Sequence, residues 1–291
     1  MNRQTGWTDE TWTPEPAERP DTLLQPLRWR KPRRAAVRVA LRSGQHDLFA
    51  DEVSDRHLAR VFATMAASPR HTFVILTART ARMRALLGSD GFSSWVAQRL
   101  LSDLGEVLRC SDWPLRNVWL GAPVENQEQA DARIPDLAGT PAAARMVATE
   151  PLRGPLDLSR WLGIEYFDSF GWGPEMLATL SGRGHALDWV VAAGGRGPEA
   201  RPVHPEWLRS LRDQCQAAPV PFWFDGWGAW APAGRGIGMA KDNVGREELV
   251  GPALDDMGQR QVMRRAGRRT AGRTLDGRTW QQAPNPAQVQ A

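Results

Sequence analysis

The 291-residue sequence predicts an α/β protein, an incomplete TIM-like (β/α) barrel with parallel strands. Short aliphatic or β-branched runs alternate with longer segments in which apolar residues recur at helical spacing. The short runs are apolar on both faces, which is typical of parallel strands covered on both sides. Six such units, with a candidate seventh strand near Trp7–Trp12, are too few for a complete barrel of eight. An open doubly wound sheet is the alternative.

The elements follow one another as strand and helix. Strands are predicted at 35–41, 71–76, 117–124, 144–149, 187–195 and 220–228. Helices are predicted at 54–68, 80–88, 91–108, 126–139 and 204–218. In the first helix Leu58, Phe62 and Met65 fall on one face, the apolar stripe that packs against a sheet. An irregular aromatic-rich stretch, 155–185, follows the fourth strand.

The pattern changes after Trp230, where the sequence becomes rich in glycine and arginine. We therefore divide the chain into a barrel-like domain, 1–231, and a small basic C-terminal extension, 232–291. Within the extension, 261–280 predicts a helix end or a short hairpin, and the last residues are expected to be disordered.

Composition and charge narrow the class of protein. The chain is 42% hydrophobic and 24% charged, as soluble globular proteins are. No apolar run approaches the roughly 20 residues that cross a bilayer, and no secretory signal opens the sequence, so we expect a cytoplasmic protein without a membrane partner. The net charge of +4 resides in the extension, since the first 231 residues are neutral. The two cysteines, Cys110 and Cys215, are expected to be buried free thiols.

Candidate pocket residues lie where the predicted strands end, because α/β folds place their working groups at the carboxyl edge of the sheet. They are Asp47, Thr77, Arg79, Glu125, Asn126, Glu150, Arg196 and Asp225. Their catalytic roles are unknown. Each carboxylate suits a general base, but it suits equally an ion pair with arginine or a helix cap. His46 beside Asp47 lacks an evident third ligand, so we predict no metal site.

The loop at Gly194 and Gly195 has two interpretations. A helix start after a glycine loop can bind an anion through its backbone N–H groups, helped here by Arg196. The glycine spacing fits neither a Walker A motif nor a dinucleotide fingerprint, so a vestigial strand-to-helix turn is the other interpretation.

An ordered set of segments carries a family resemblance. They are GWTDETWTP, PLRWRKPRR, NVWLGAPVENQEQADARIPDL, EPLRGPLDL, LDWVVAAGGRGPEARPVHPEWLRSLRDQC, VPFWFDGWGAW and AGRTLDGRTW, within 6–284. Together they resemble a bacteriophage and prophage protein family of unknown function that is related to radical S-adenosylmethionine (SAM) enzymes. The resemblance implies a barrel, a [4Fe–4S] cluster on a CxxxCxxC loop, and SAM. In this sequence Trp12-Thr13-Pro14 is followed directly by EPAERPDTLLQPLRW. The cysteine loop and the first barrel helix of the family are absent from this position.

Further departures fall on the strand ends. Family segments Leu-Thr-Lys-Arg and Ser-Cys-Glu-Pro are replaced here by Leu76-Thr77-Ala78-Arg79 and Ala148-Thr149-Glu150-Pro151. Gly-Gly-Glu becomes Gly194-Gly195-Arg196, and Phe-Lys-Gln-Trp becomes Phe224-Asp225-Gly226-Trp227. Since two remote cysteines cannot supply three thiolates, we expect neither the cluster nor any other cofactor.

Three functions stay open. The first is a degenerate radical SAM-like scaffold without a cluster, catalytically inactive. The second is nucleic-acid binding through clustered arginines of the extension. The candidates are Arg264, Arg265, Arg268, Arg269 and Arg273. The third is an enzyme that acts on an anionic small molecule at the barrel mouth.

Overall fold

Seven parallel strands form one sheet and lie side by side in the order in which they occur along the chain. This computed structural model describes residues 7–14, 20–29, 36–39, 47–109, 112–163, 185–233, 246–253 and 260–284. The strands are β1 (Trp7–Trp12), β2 (Ala36–Val39), β3 (Phe73–Leu76), β4 (Val118–Pro123), β5 (Ala144–Thr149), β6 (Trp189–Ala193) and β7 (Phe222–Gly226).

Helices join the strands, and several of them begin at a residue whose side chain caps the helix. They are α1 (Pro20–Leu23), a 3-10 helix (Gln25–Arg28), α2 (Asp55–Ala66), α3 (Thr80–Leu87), α4 (Asp90–Leu104), α5 (Gln127–Ala138), α6 (Ser159–Leu162) and α7 (Pro205–Ala217). Ser54 caps α2 and Ser89 caps α4, each accepting a backbone N–H three residues ahead, which satisfies a donor that the helix leaves free.

The two faces of the sheet bury different sets of residues, because successive side chains of a strand point to opposite sides. On one face Phe73, Leu120 and Phe222 belong to the large core that contains the apolar sides of the helices. On the other face a smaller cluster contains Trp119, Trp189 and Trp223. This second set, which we call the tryptophan face, packs ring edge against ring face.

The C-terminal extension adds a small antiparallel sheet and a hairpin. The sheet has the order β8 (Trp230–Pro232), β10 (Arg260–Arg265), β9 (Glu247–Ala253). A short helix, α8 (Gly267–Ala271), leads to the hairpin of β11 (Thr274–Leu275) and β12 (Arg278–Thr279). Met263, Leu275 and Trp280 join the same core as the main sheet.

The end of the extension covers the outer edge of β7. Phe224 donates its backbone N–H to Trp280 O at 2.9 Å, and Gln282 donates to Phe222 O at 3.1 Å. The Trp189 indole N–H donates to Gln282 O at 2.9 Å. These bonds satisfy the backbone groups that an edge strand otherwise presents to solvent.

The sequence predictions for the sheet are largely confirmed. All six predicted strands and the candidate strand at the N-terminus form, and each observed strand lies within its predicted range. The α/β class is therefore confirmed. Within the described part of the chain β1 and β7 are edge strands, so the sheet is open and a TIM barrel is not confirmed. Between β1 and β2 the described residues contain only α1 and the 3-10 helix.

Other predictions are modified or untested. The hairpin predicted in 261–280 forms, but β9 and β10 were missed. The predicted boundary at 231 cuts through β8, and the boundary itself stays a prediction. Cys110, His46, 164–184 and the C-terminal residues 285–291 lie outside the described residues.

Replacing Gly121 with alanine tests the packing of the tryptophan face. An added Cβ would lie 2.6 Å from Met146 Cγ and 2.7 Å from Leu76 Cδ2, so these side chains must shift. We expect Gly121→Ala to lower the free energy of unfolding by about 1–3 kcal/mol, measured by urea denaturation. The matched control is Gly91→Ala in the first turn of α4, where the added methyl meets open space. Equal stability of the two variants would contradict the close packing of Met146 and Leu76 around Gly121.

Asp276 provides a pH-dependent link between the hairpin and α7. It accepts from Arg209 Nε at 2.9 Å and Arg212 Nη1 at 2.5 Å, and the Arg209 hydrogen bond leads in holding the pKa of Asp276 below its usual value. A lowered folded-state pKa adds stability above the unfolded-state pKa, and this stability is lost as pH falls through the folded-state value.

We therefore expect Asp276→Asn to be less stable than the wild type by under about 1 kcal/mol at neutral pH, since the carboxylate is partly exposed and screened. Asparagine tolerates the left-handed φ of 51° at this turn, so the variant isolates the charge. Urea denaturation should show the difference vanish in acid and shrink in high salt. Asp131→Asn is the control, because the described contact of Asp131 is a hydrogen bond from Gln127 and not an ion pair, and its effect on stability should not shrink in high salt.

Candidate functional site

The eight predicted pocket residues lie at the carboxyl edge of the sheet, but they form three separate groups. Each group belongs to neighbouring strand ends, as the fold requires. The groups are Asp47, Thr77 and Arg79 near β3, Glu125 and Asn126 after β4, and Glu150, Arg196 and Asp225 around β5–β7.

The group near β3 is held together by hydrogen bonds to one carboxylate. Asp47 Oδ2 accepts from the Thr77 hydroxyl at 2.7 Å and from the Ala78 N–H at 2.8 Å, while its Oδ1 accepts from Phe49 at 2.9 Å. Arg79 Nη1 lies 3.9 Å from Asp47 Oδ2. Both oxygens of Asp47 therefore bind backbone or hydroxyl donors, and the carboxylate fixes the loop before α3.

The group after β4 caps a helix and forms one ion pair. Asn126 Oδ1 accepts the Gln129 N–H at 2.9 Å, which makes Asn126 the N-cap of α5. Glu125 Oε2 lies 2.7 Å from Arg153 Nε, and the Arg153 side chain is mostly exposed. The sequence left open whether these residues cap a helix or pair with an arginine. In the structure Asn126 caps α5, and Glu125 forms an ion pair with Arg153.

The third group, which we call the β5–β7 cluster, consists of Glu150, Arg196, Asp225 and Arg273. Asp225 lies on the tryptophan-face side of β7, because Phe222 and Phe224 take the opposite face. Its side chain is only 4% exposed and forms an ion pair with Arg196 Nη2. Arg196 Nη2 also lies 3.9 Å from Glu150 Oε1, and Arg273 Nη2 lies 4.0 Å from Asp225 Oδ1. Two acids and two bases leave the cluster neutral.

Arg273 joins this cluster, although the sequence predicts that it belongs to a nucleic-acid surface. It follows Gly272, whose carbonyl accepts the Trp227 N–H at 3.2 Å, so the extension crosses the loop after β7 at this point. No local sequence pattern indicates the contact, because it joins residues 48 positions apart through a turn of the extension.

The glycine loop serves backbone contacts in this structure. Gly194 donates its N–H to Gly226 O at 3.0 Å, and Gly195 O accepts the Ala229 N–H at 2.8 Å. A Cβ at Gly194 would lie 2.1 Å from Trp227 O, and one at Gly228 equally close to Gly195 O. The Gly194 N–H is therefore not available to an anion. Gly194 and Gly228 lie where the loops after β6 and β7 touch.

The iron–sulfur cluster implied by the resemblance does not fit the residues of this chain. A cluster of that kind needs three thiolates, and the sequence holds Cys110 and Cys215 alone. Cys215 lies fully buried in α7, and burial raises the pKa of its thiol. Among the described residues, no three His, Cys, Asp or Glu side chains are arranged to hold a metal ion.

The arginines of the extension are mostly engaged with their own chain. Arg264 Nη2 lies 2.5 Å from Glu247 Oε1. Arg265 Nη2 donates to Gly197 O at 3.0 Å and to Pro198 O at 2.6 Å. Arg268 and Arg269 lie on α8 and are exposed. Of the five proposed nucleic-acid residues, Arg265 and Arg273 therefore attach the extension to other segments, and Arg264 links two strands within it.

None of the described helices is long and apolar enough to cross a membrane. No curated protein and no solved structure matches the chain. The sequence model of one protein family, described as "Protein of unknown function (DUF5131)", matches residues 2–284. The chain, with its open parallel sheet and ion-paired carboxyl edge, therefore belongs to this uncharacterised family.

Proposed function

We propose that this chain is a non-catalytic scaffold protein: a radical SAM-like, barrel-related fold of phage or prophage type that holds no iron–sulfur cluster. One observation carries the proposal. Most polar residues at the carboxyl edge, where α/β enzymes present their working groups, are bonded to backbone groups, to arginines or to one another. A general base has to accept a proton from a substrate, and a carboxylate that already binds donors on both oxygens, as Asp47 does, is poorly placed to do so.

The β5–β7 cluster supports the proposal most directly. In the resembled family, glutamate and lysine stand where this chain has Arg196 and Asp225. Both charges are inverted here, and the two side chains form an ion pair. Inverting both partners preserves an attraction between them but reverses the polarity that a substrate would meet. That is the outcome expected of a pair retained for structure.

The sulfur chemistry supports the same conclusion. To bind iron, Cys215 would have to leave the apolar core that surrounds α7, at a cost in buried area, and still supply only one ligand. No catalytic step is therefore assigned to a cluster or to SAM.

The burial of the tryptophan face supports the barrel relationship. Among the described residues the helices pack on one face of the sheet, yet Trp119, Trp189 and Trp223 on the other face are at most 4% exposed. Their rings pack on each other, with centroids 5.9 and 6.2 Å apart. A sheet curled toward its tryptophan face would give this burial, as the interior of a barrel does.

Anaerobic reconstitution with iron and sulfide tests the absence of a cluster. We expect purified full-length protein to take up iron only at background level, with no cluster absorption or paramagnetic signal after reduction. The matched control is the Cys110→Ala, Cys215→Ala double variant, which should give the same background. A stoichiometric cluster in the wild type that the double variant loses would overturn the proposal.

A charge-swap experiment tests whether the β5–β7 cluster is structural. We expect Asp225→Lys to lower the free energy of unfolding by about 3 kcal/mol, since it places a cation against Arg196 at a buried position. Arg196→Glu also brings like charges together, but it should lower the free energy of unfolding by less, because the Arg196 side chain is 37% exposed. The double variant should recover part of the loss, because the ion pair re-forms with opposite polarity. Recovery stays incomplete because Glu150 and Arg273 then face like charges.

The exposed pair Glu125 and Arg153 is the control for this cycle, and its swap should change stability by less than about 1 kcal/mol. Residues kept for function are often replaced without loss of stability or even with a gain. If Arg196→Glu or Asp225→Lys stabilised the protein, the cluster would be a functional site and the proposal would fail.

A further inference from the structure

His204 connects the start of α7 to the small C-terminal sheet and is not one of the candidate pocket residues. The side chain is buried, with 3% exposure. It is the N-cap of α7, because its Nδ1 accepts the Glu206 N–H at 3.2 Å. On the other side of the ring lies Gly251 of β9.

The cap determines which ring nitrogen carries the proton. An Nδ1 that accepts a hydrogen bond has no hydrogen, so the neutral ring carries its proton on Nε2. Nε2 is buried and has no hydrogen-bond partner among the described residues. The ring therefore accepts a hydrogen bond from the first turn of α7 at Nδ1, and its Nε2 faces Gly251 of β9.

Gly251 allows the ring and β9 to touch. A Cβ on this residue would lie 2.1 Å from His204 Nε2, and the backbone has a left-handed φ of 73°. Arg260 of β10 donates its Nε to Gly251 O at 2.7 Å, which fixes the same backbone from the opposite side. The imidazole and the Gly251 backbone are therefore in close contact, with no room for a side chain between them.

Protonation of His204 would weaken this contact in three ways. The proton added to Nδ1 would face the Glu206 N–H and break the cap. The positive charge would lie at the positive end of the α7 dipole, and it would be buried without an acceptor at Nε2. Glu206 on α7 favours the charge, whereas Arg209 on α7 opposes it, and Arg260 across the contact carries a further positive charge.

Burial is the largest cause that lowers the pKa of His204 below its usual value. A histidine with a lowered folded-state pKa leaves the folded state fully stable above the unfolded-state pKa of about 6.5. The stability is lost as pH falls below that value.

We propose that His204 is a pH-sensitive latch that holds the β8–β10–β9 sheet on α7 at neutral pH and releases it in mild acid. The latch does not rest on the proposed function, because it uses none of the residues of the carboxyl edge. Its release would reach that edge through β8 and β10. Trp230 Nε1 donates to Ala200 O at 2.7 Å, and Arg265 holds Gly197 and Pro198 in the loop that carries Arg196.

Hydrogen–deuterium exchange of the full-length protein tests the latch. Exchange is compared at neutral pH and near pH 5 after correction for the intrinsic rate, in peptides that cover Glu247–Ala253 and Arg260–Arg265. We expect these peptides to exchange roughly fivefold faster in acid, the factor that corresponds to losing one helix N-cap. Peptides from β4 and β5 should show no such change.

Two variants separate the latch from general acid effects. His204→Asn keeps a capping side chain that does not titrate, and it should abolish the acid acceleration in β9 and β10. His57→Asn replaces another buried histidine with a lowered pKa, on α2, and should leave the acceleration intact. Acid acceleration that persists in His204→Asn would overturn the latch.

A measurement on the wild type completes the test if a variant fails to fold. Nitrogen NMR of the histidine ring reports which nitrogen is protonated. We expect an unprotonated Nδ1 at neutral pH and a titration midpoint below that of an exposed histidine. A proton on Nδ1 at neutral pH, or a midpoint at or above the exposed value, would overturn the proposal.

Discussion

The loops after β6 and β7 approach each other until backbone touches backbone, and much of the carboxyl edge is arranged around that contact. The Gly194 N–H bonds to Gly226 O, and no side chain fits between Gly194 and Trp227. Since the two loops cannot separate without breaking buried hydrogen bonds, Arg196, two residues after Gly194, is held against Asp225. The same loop continues to His204 and so sets the start of α7. One close contact thus positions both an ion pair and a helix cap.

How far the sequence predicts this structure depends on whether the signal is local. The apolar strands were found because each is a short run between turn signals, and Asn126 was found because a cap directly precedes its helix. β9 was missed because Gly251 and Pro252 interrupt it, and β10 because arginines occupy both of its ends. β9 and β10 are stabilised by pairing with each other, and neither strand has an apolar sequence pattern that would predict it.

The candidate site shows the same limit. The sequence places Glu150, Arg196 and Asp225 at one edge, because the carboxyl ends of parallel strands meet there. It does not predict that Arg196 bonds to Asp225, nor that Arg273 approaches from the extension, since both contacts depend on how loops cross. A list of polar residues at strand ends therefore predicts where a site would be. It does not predict whether those residues are free to act on a ligand.

The extension supplies what an open sheet lacks. A closed barrel pairs its last strand with its first, whereas here β7 meets the segment around Gln281, which bonds to both neighbours of Trp223. The same segment leads back through Trp280, whose ring lies against Arg278 and Arg212, to Asp276 and Arg273. Arginines that form a basic tail in the sequence, Arg273 and Arg278, therefore help to hold the segment around Gln281 against the edge of β7. Any ligand that recruited them would have to compete with these internal contacts, so the charge of the extension serves the fold before it serves a partner.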